Sequence, residues 1–310
     1  MLNRSNVGVI FDKTKGQLES FITSFKDRDN AEDFIFQKGA QKYFSNIALA
    51  EILKREGFSF SETKIITVAN QKGGCAKTST ILSQARNLSD LGCKVLVLDT
   101  DSQANATRAL IGEKGTKSLF HVISKEMSVK DVIVNVRENL DLLPANAECA
   151  RIDFLLSDPK NPYNPAQLIR NYVKDLGYDF VLIDTSPSFS SINIACIASS
   201  NRVICPVPLA TWEIDGVEQV SKLVNGMNEQ LGTNIKLDFL ISKFSKMETT
   251  SYAEITKIQE LDGNLLKTLI PDSVAFKKAQ KTGLLENKGK AYKETLKLTR
   301  EILEHNSRIQ

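Results

Sequence analysis

The stretch NQKGGCAKTST, residues 70 to 80, concentrates lysine, glycine and hydroxyl side chains. These residue types bind phosphate, because glycines let backbone N–H groups approach the anion, lysine supplies charge and a hydroxyl can bind Mg²⁺. The usual phosphate loop, G-x-x-x-x-G-K-[ST], needs glycine at the positions that hold Gln71 and Ala76. The stretch fails that pattern twice but keeps its chemistry, which predicts a variant phosphate loop.

The surroundings of this stretch are those of a phosphate-binding turn. It follows the β-rich run KIITVAN, residues 64 to 70, and leads into a segment of helical length, residues 78 to 91. A strand, a glycine turn and a helix bring N–H groups and the positive end of the helix dipole to one place, where anions bind. The loop residues expected to bind nucleotide are Gly73, Gly74, Cys75, Ala76, Lys77, Thr78 and Ser79.

Several residues of the loop have an expected role. Lys77 would lie along the β- and γ-phosphates, the hydroxyl of Thr78 would bind Mg²⁺, and Ser79 could contact the α-phosphate side. Gly74, like its neighbour Gly73, permits a close approach of the backbone. Ala76 stands where glycine is usual, which suggests a backbone angle that a small L-residue can tolerate.

Carboxylates that could hold a metal end two of the apolar runs. KVLVLDTD places Asp99 and Asp101 at the edge of one expected strand, and DFVLIDTSPS places Asp184 at the edge of another. Phosphoryl transfer needs such groups to hold Mg²⁺ and to position the attacking water. Three strand-end aspartates beside a phosphate loop therefore predict a site that hydrolyses a nucleotide.

Beyond residue 60, short apolar runs alternate with segments of helical length. Seven runs are typical of strands: residues 64 to 70, 94 to 100, 139 to 145, 179 to 185, 202 to 207, 236 to 242 and 265 to 271. Strands that are apolar on both faces and separated by helices indicate a parallel sheet covered on both sides. We therefore expect an α/β fold, a doubly wound, mostly parallel sheet with helices on both faces, with ligands at the carboxyl ends of its strands.

Residues 1 to 60 are expected to form a short helical N-terminal extension, and residues 61 to 310 the α/β domain. One amphipathic helix is indicated by apolar residues at i, i+3, i+4 and i+7, namely Leu18, Phe21, Ile22 and Phe25. A second helix has Ser45 as its candidate N-cap and Gly57 as its candidate C-terminal stop.

The composition is that of an ordinary soluble globular protein, with 42% hydrophobic and 25% charged residues among 310. Apolar runs such as KVLVL are far shorter than the ~20 residues that span a bilayer, and the N-terminus lacks the apolar core of a signal peptide. Five scattered cysteines without C-x-x-C spacing argue against a zinc site or a disulfide framework. We expect a cytoplasmic protein, and its net charge of +3 is too small to indicate a nucleic-acid partner by itself.

Five separated stretches together resemble the ParA family of DNA-partition ATPases: KGGCAKTS, VLVLDTDSQANAT, LLPAN, FVLIDTSPS and CPVPLATWEIDGVEQV. The similarity runs in order over roughly residues 64 to 285. In the wider class, which includes MinD and the nitrogenase iron proteins, the P-loop is a deviant Walker A motif, K-G-G-x-x-K-[ST]. That motif explains why the usual pattern fails, and the resemblance implies an Mg²⁺-dependent ATPase with a weak intrinsic rate.

The resemblance also implies roles for single residues. Lys72 is similar to the signature lysine that reaches across a dimer to the nucleotide held by the other subunit. Asp101 matches the catalytic aspartate that positions or activates water, and Asp99 matches an aspartate near the water shell of the metal. Asp184 resembles the Walker B aspartate, which acts on Mg²⁺ through water.

The segment from Pro206 to Trp212 resembles the one that lies against the adenine, which makes Pro206 and Pro208 candidate nucleotide-binding residues. Leu209 and Ala210 depart there from the more usual Pro-Glu. The base contacts therefore do not follow from the resemblance.

The implied function is ATP-dependent DNA segregation. ATP would favour a sandwich homodimer that loads on nucleoid DNA without sequence preference, and a ParB-like centromere-binding protein would stimulate the hydrolysis that releases it. In the family, basic residues of the C-terminal third bind the DNA. The candidates here are Lys243, Lys246, Lys277, Lys278 and Lys281.

Other functions stay open at this point. A nitrogenase-type iron protein needs bridging cysteines, and Cys149 has no second cysteine in a plausible ligand position. A MinD-like positioning ATPase needs a membrane-binding C-terminal helix, but the tail AYKETLKLTREILEHNSRIQ is rich in glutamate and is expected to pack on its own domain. A transcriptional autoregulator is suggested by YFSNIALAEILKREGFS, which faintly resembles the helix-turn-helix entry of longer plasmid ParA proteins. The same segment could be a packing or dimerisation arm.

Overall fold

The computed structural model describes residues 2–26, 33–38, 41–159, 162–208, 215–244, 255–282 and 288–306. These residues form an eight-stranded sheet with helices around it and, at the N-terminus, a three-stranded sheet with helices of its own. The side chains of Lys246 and Trp212 lie outside the described residues.

The N-terminal extension combines three helices with three short strands. Its elements are β1 Leu2–Asn3, α1 Arg4–Phe11, α2 Lys15–Lys26, β2 Ile35–Lys38, β3 Gln41–Phe44 and α3 Asn46–Arg55. Strand β3 lies between β1 and β2 and is antiparallel to both. These strands do not follow from the sequence, because segments of two to four residues carry too little alternation to be recognised.

Both helices predicted for the extension are confirmed. In α2, Leu18, Ile22 and Phe25 are buried on one face. Helix α3 begins after Ser45, whose side chain accepts a hydrogen bond from the N–H of Ala48, and it ends before Gly57, which has a left-handed φ of 87°. The segment YFSNIALAEILKREGFS thus forms the end of β3 and α3, and α3 packs against the large domain.

The large sheet has the strand order β11-β10-β9-β4-β8-β5-β7-β6. Its strands are β4 Lys64–Val68, β5 Val95–Asp99, β6 Val134–Arg137, β7 Leu140–Leu143, β8 Phe180–Asp184, β9 Arg202–Pro208, β10 Lys236–Ser242 and β11 Asn264–Leu265. All pairings among them are parallel except that of β6 with β7. The expected doubly wound, mostly parallel sheet is confirmed.

The seventh predicted strand, residues 265 to 271, is only partly a strand. After Leu265 the carboxylate of Glu301 accepts hydrogen bonds from the N–H groups of Lys267 and Thr268, each at 2.8 Å. Those two N–H groups are therefore not available to a neighbouring strand, and regular pairing with β10 stops after two residues.

Helices cover both faces of the sheet. They are α4 Lys77–Asp90, α5 Asn105–Ile111, α6 Leu119–Ile123, α7 Val129–Val132, α8 Ile152–Leu156, α9 Pro165–Val173, α10 Ser191–Ala198, α11 Asp215–Leu231, α12 Val274–Thr282 and α13 Gly289–Asn306. Successive residues of β5 alternate between two separate apolar clusters: Val95 and Val97 join the one with α4 and α13, Leu96 and Leu98 the one with α6 and α9. This alternation explains why the central strands are apolar on both faces.

The C-terminal helix α13 packs on its own domain, as expected. Leu296, Leu298 and Leu303 are fully buried, and Asn87 of α4 donates a hydrogen bond to the hydroxyl of Thr299 at 2.9 Å. Among the residues that the structure describes, none belongs to a helix long and apolar enough to cross a membrane.

The extension shares a core with the large domain at Gly92, which follows α4. This glycine has φ +85°, and a Cβ there would lie 2.8 Å from Cβ of Ala50 and 3.0 Å from the carbonyl oxygen of Asn46, both in α3. Only glycine lets α3 approach this closely.

The substitution Gly92→Ala should therefore lower the free energy of unfolding through two effects. One is the strain of a non-glycine residue at positive φ, and the other is the overlap of the new methyl group with α3, which should add about 1–3 kcal/mol. Gly232→Ala is the matched control, since Gly232 also has a positive φ, +62°, but nothing lies within 4 Å of its Cβ position. Urea unfolding of both variants measures the difference. Equal losses in the two variants would show that α3 does not press on Gly92.

Candidate nucleotide-binding site

The predicted phosphate loop connects the end of β4 to the start of α4. Two of its residues have left-handed backbone angles: Gly74 with φ 71° and Ala76 with φ 79° and ψ 22°. Ala76 thus has a left-handed angle, which costs a non-glycine residue roughly 1–2 kcal/mol and which this small residue tolerates. Left-handed residues in such a turn aim successive N–H groups into a concavity that fits an anion.

The side chain of Lys77 is buried and folded back across the loop. Its ammonium donates hydrogen bonds to the carbonyl oxygens of Asn70 and Lys72, both at 2.9 Å. Asn70 is fixed in turn, because its amide donates to the carbonyl of Pro206 at 2.8 Å and its oxygen accepts from the N–H of Lys72 at 2.9 Å. The lysine therefore holds both ends of the loop as well as placing a positive charge beneath it.

Thr78 and Asp184 meet at the carboxyl end of β8. The Thr78 hydroxyl donates to Oδ2 of Asp184 at 2.7 Å, while Oδ1 of Asp184 is buried and has no partner among the described residues. Burial, and then the charge of nearby Asp99, raise the pKa of Asp184 well above its usual range. A cation beside this carboxylate would lower that pKa again and satisfy the open oxygen.

These two side chains fit an Mg²⁺ ion carried by a nucleotide. A hydroxyl and one carboxylate are the oxygen ligands that Mg²⁺ takes when phosphates and water complete its shell. Within the described ranges no three His, Cys, Asp or Glu residues cluster closely enough to hold a metal by themselves. A cation here therefore needs phosphate oxygens to complete its coordination.

Asp99 and Asp101 follow the same strand but occupy different surroundings. Asp99 is fully buried, and its two oxygens accept hydrogen bonds from the N–H of Asp101 at 3.1 Å and from the N–H and hydroxyl of Thr107 at 2.8 and 2.7 Å. Burial raises the pKa of Asp99 to about 6. Asp101 instead lines the open cavity, and Asp99 holds the backbone that presents it.

The loop opens into a cavity of about 430 Å³. The loop contributes Gly73, Gly74, Ala76, Lys77, Thr78 and Ser79 to its lining, and the segment after β5 contributes Asp101, Gln103 and Asn105. A further wall is formed by the chain from Ile270 to Ser273, with Phe276, Lys277 and Lys243. This wall was not predicted as part of the site, because irregular backbone after a strand carries no phosphate-binding signature.

Two lysines predicted to bind DNA therefore lie in the nucleotide cavity. Lys243 has a left-handed φ of 52°, and its ammonium lies 3.7 Å from the position of a Cβ at Gly74. Lys277 and Lys278, on α12, are both exposed, and of the two Lys277 lines the same cavity. Lys281 belongs to the same helix.

Other predicted nucleotide-binding residues lie around the cavity rather than in its lining. Cys75 is buried, and its carbonyl accepts a hydrogen bond from Ser242 at 2.9 Å. Pro206 is buried under the loop, Pro208 is half-buried, and Lys72 contributes its backbone to the Lys77 and Asn70 contacts. All five cysteines of the chain are buried, and desolvation raises the pKa of Cys149, the residue considered for a cluster.

Comparisons with known proteins agree with this geometry. Residues 63–239 match the family described as an AAA domain. The sporulation initiation inhibitor protein Soj of Bacillus subtilis is 28% identical over 227 residues, which cover 71% of this chain and 88% of Soj. The chromosome partitioning protein ParA of Caulobacter vibrioides is 24% identical over 255 residues, 79% of this chain and 96% of that protein.

Among solved structures, cobyrinic acid a,c-diamide synthase from Mycobacterium smegmatis, with bound ADP and magnesium, is 25% identical with a TM-score of 0.66, covering 78% of this chain and 95% of the enzyme. The segment that matches the AAA domain family contains β4, the phosphate loop, Asp101 and Asp184. The chain therefore belongs to the ParA family of partition ATPases.

Proposed function

We propose that this chain hydrolyses ATP with Mg²⁺ to drive DNA segregation. The ATP-bound form is a sandwich dimer that binds DNA without sequence preference, and a ParB-like centromere-binding protein stimulates the hydrolysis that resets it. The contact between the Thr78 hydroxyl and Asp184, at 2.7 Å with one carboxylate oxygen left open, is the observation that carries the proposal. The relatives support partition or positioning in general, and the three lysines of α12, a helix without acidic residues, favour DNA as the surface that the chain binds.

The residues of the cavity have different roles in phosphoryl transfer. The loop N–H groups and Lys77 hold the phosphates, and Thr78 with Asp184 holds Mg²⁺, which supplies charge neutralisation at the β- and γ-phosphates when bound. Asp101 lines the same cavity, where it can orient a water molecule and accept its proton. Asp99 keeps Asp101 in place through the N–H contact at 3.1 Å.

Lys72 acts across the dimer in this proposal. Its side chain does not line the cavity of its own chain, although its backbone is part of the loop. A lysine that arrives from a second chain can neutralise charge on the transferred phosphoryl group, as arginine fingers do in other NTPases. Hydrolysis then requires two chains, so it occurs only after the dimer has formed.

The first test compares the two lysines of the loop. Lys77→Ala should abolish ATP binding, because it removes both the buried charge and the two contacts that shape the loop. Lys72→Ala should keep nucleotide binding but lose hydrolysis and ATP-dependent dimerisation. Titration with a fluorescent ATP analogue and size-exclusion chromatography measure these effects. Unchanged affinity in Lys77→Ala would rule out the loop assignment, and normal turnover in Lys72→Ala would rule out the sandwich.

The second test separates Asp101 from Asp99. Asp101→Ala should bind ATP and elute as a dimer without turning over, because phosphate and metal contacts remain while the water is no longer oriented. Asp99→Asn is the companion variant: it places an amide against three donors and should lower the free energy of unfolding by about 1–3 kcal/mol. Turnover by Asp101→Ala at the rate of the unmodified chain would remove Asp101 from the mechanism.

The third test distinguishes the roles of Lys277 and Lys278 in α12. Lys278→Glu should weaken binding to every duplex alike while ATP affinity stays constant, and Lys277→Glu should weaken ATP binding because Lys277 lines the cavity. Each lost phosphate contact should reduce the slope of log affinity against log salt by about 0.9. If the Lys278→Glu variant binds DNA as tightly as the unmodified chain does, Lys278 is not part of the DNA-binding surface.

A further inference from the structure

A second cavity, of about 690 Å³, lies between the N-terminal extension and the C-terminal helix α13. Its walls come from α1, from the turn after α1 with the start of α2, and from α13. It shares no residue with the nucleotide cavity. Its volume falls in the range of roughly 300–1,000 Å³ that is typical of sites for small molecules.

The lining of this cavity is strongly basic. Five of its side chains are cationic and one, that of Asp12, is anionic, which leaves an excess of four positive charges. The cationic residues are Arg4, Lys13, Lys15, Lys297 and Arg300. The whole chain has a net charge of only +3, so positive charge is concentrated at this place.

Four of these cations are held by carboxylates that lie outside the lining. The pairs are Arg4 with Glu19, Lys13 with Glu56 at 2.8 Å, Lys297 with Glu294 at 3.0 Å and Arg300 with Glu304 at 2.6 Å. Because none of the four glutamates lines the cavity, the pairs fix the basic groups without placing a carboxylate among them. Lys15 is exposed and forms no ion pair with any residue that the structure describes.

The one carboxylate of the lining is weakly held. The side chain of Asp12 is 78% exposed and pairs with Arg300 at 3.1 Å. An ion pair as exposed as this one adds little to stability. A ligand with several negative charges could therefore take the place of Asp12 at Arg300.

The cavity also has an apolar part, and packed helices form it. Gly8, Val9 and Leu18 contribute the apolar part of the lining. Helix α1 packs against both α2 and α13, and its residues Val7 and Ile10 are buried in the core that the extension shares with the large domain. The cavity is therefore preformed, and it matches a ligand that has a polyanionic part and an apolar part.

We propose that this cavity binds a nucleotide that carries at least two phosphates. Arg4, Lys13 and Arg300 hold the phosphates, since guanidinium and ammonium groups form strong charge-assisted hydrogen bonds with phosphate oxygens. The base lies against Val9 and Leu18. The ligand contacts the extension and α13 together and so joins them, which is a function separate from ATP hydrolysis in the other cavity.

Equilibrium dialysis with radiolabelled ADP tests the proposal by counting the molecules bound per chain. We expect two in the unmodified chain and one in Lys77→Ala, which keeps only the second site. Lys15→Glu/Lys297→Glu should also bind one, because each lost contact between a charged group and phosphate weakens binding about tenfold or more. Lys26→Glu/Lys293→Glu is the matched control: it makes the same change of charge at exposed residues of the same two helices, outside the cavity, and should bind two.

Competition in the Lys77→Ala chain identifies the class of ligand. Inorganic pyrophosphate should displace the bound ADP, and a short DNA duplex should not. Displacement by the duplex would overturn the proposal, because the basic lining would then be a DNA surface.

Two other results would also overturn it: one ADP per unmodified chain, or equal ADP binding by the two double variants. The comparison of the double variants does not depend on Lys77→Ala. ATP turnover by Lys15→Glu/Lys297→Glu should match that of the unmodified chain and show that this variant is folded. Failure of the ATPase proposal is a different result, namely that Lys77→Ala keeps both ADP molecules.

Discussion

The position of one ammonium group determines the geometry of the nucleotide site. The Nζ atom of Lys77 is bonded to two carbonyl oxygens of its own loop, at residues 70 and 72, so the loop closes around a buried positive charge. A buried charge is costly unless its hydrogen bonds are satisfied, and these carbonyls accept two of its three donors. The third contact, with the weak acceptor Cys75 Sγ at 3.9 Å, is one that a phosphate oxygen would replace with a stronger hydrogen bond.

Negative charge on the opposite side of the loop is organised by the parallel sheet. The register of β5 with β8 sets Asp99 directly beside Asp184, so two buried carboxylates lie close together. Hydrogen bonds satisfy both oxygens of Asp99, whereas Oδ1 of Asp184 is buried and has no partner among the described residues. A cation at Asp184 would offset the repulsion between the two carboxylates and satisfy that oxygen.

The parts of this structure that the sequence predicted are those with strong periodic or compositional signals. Six apolar runs became strands of the main sheet, and a loop of unusual glycine spacing was placed between β4 and α4. What escaped prediction depends on long-range contacts: the wall formed by residues 270 to 273 and the short strands of the extension. A two-residue strand has no distinctive local pattern, so only the folded chain reveals it.

Helix α12 carries neighbouring lysines that we propose for two different ligands. Lys277 and Lys278 are both exposed, but Lys277 also lines the nucleotide cavity. The helix packs against α5, which begins at the cavity residue Asn105. Nucleotide and DNA would therefore meet adjacent residues of one short helix, which would place the two anionic ligands of the proposed cycle side by side.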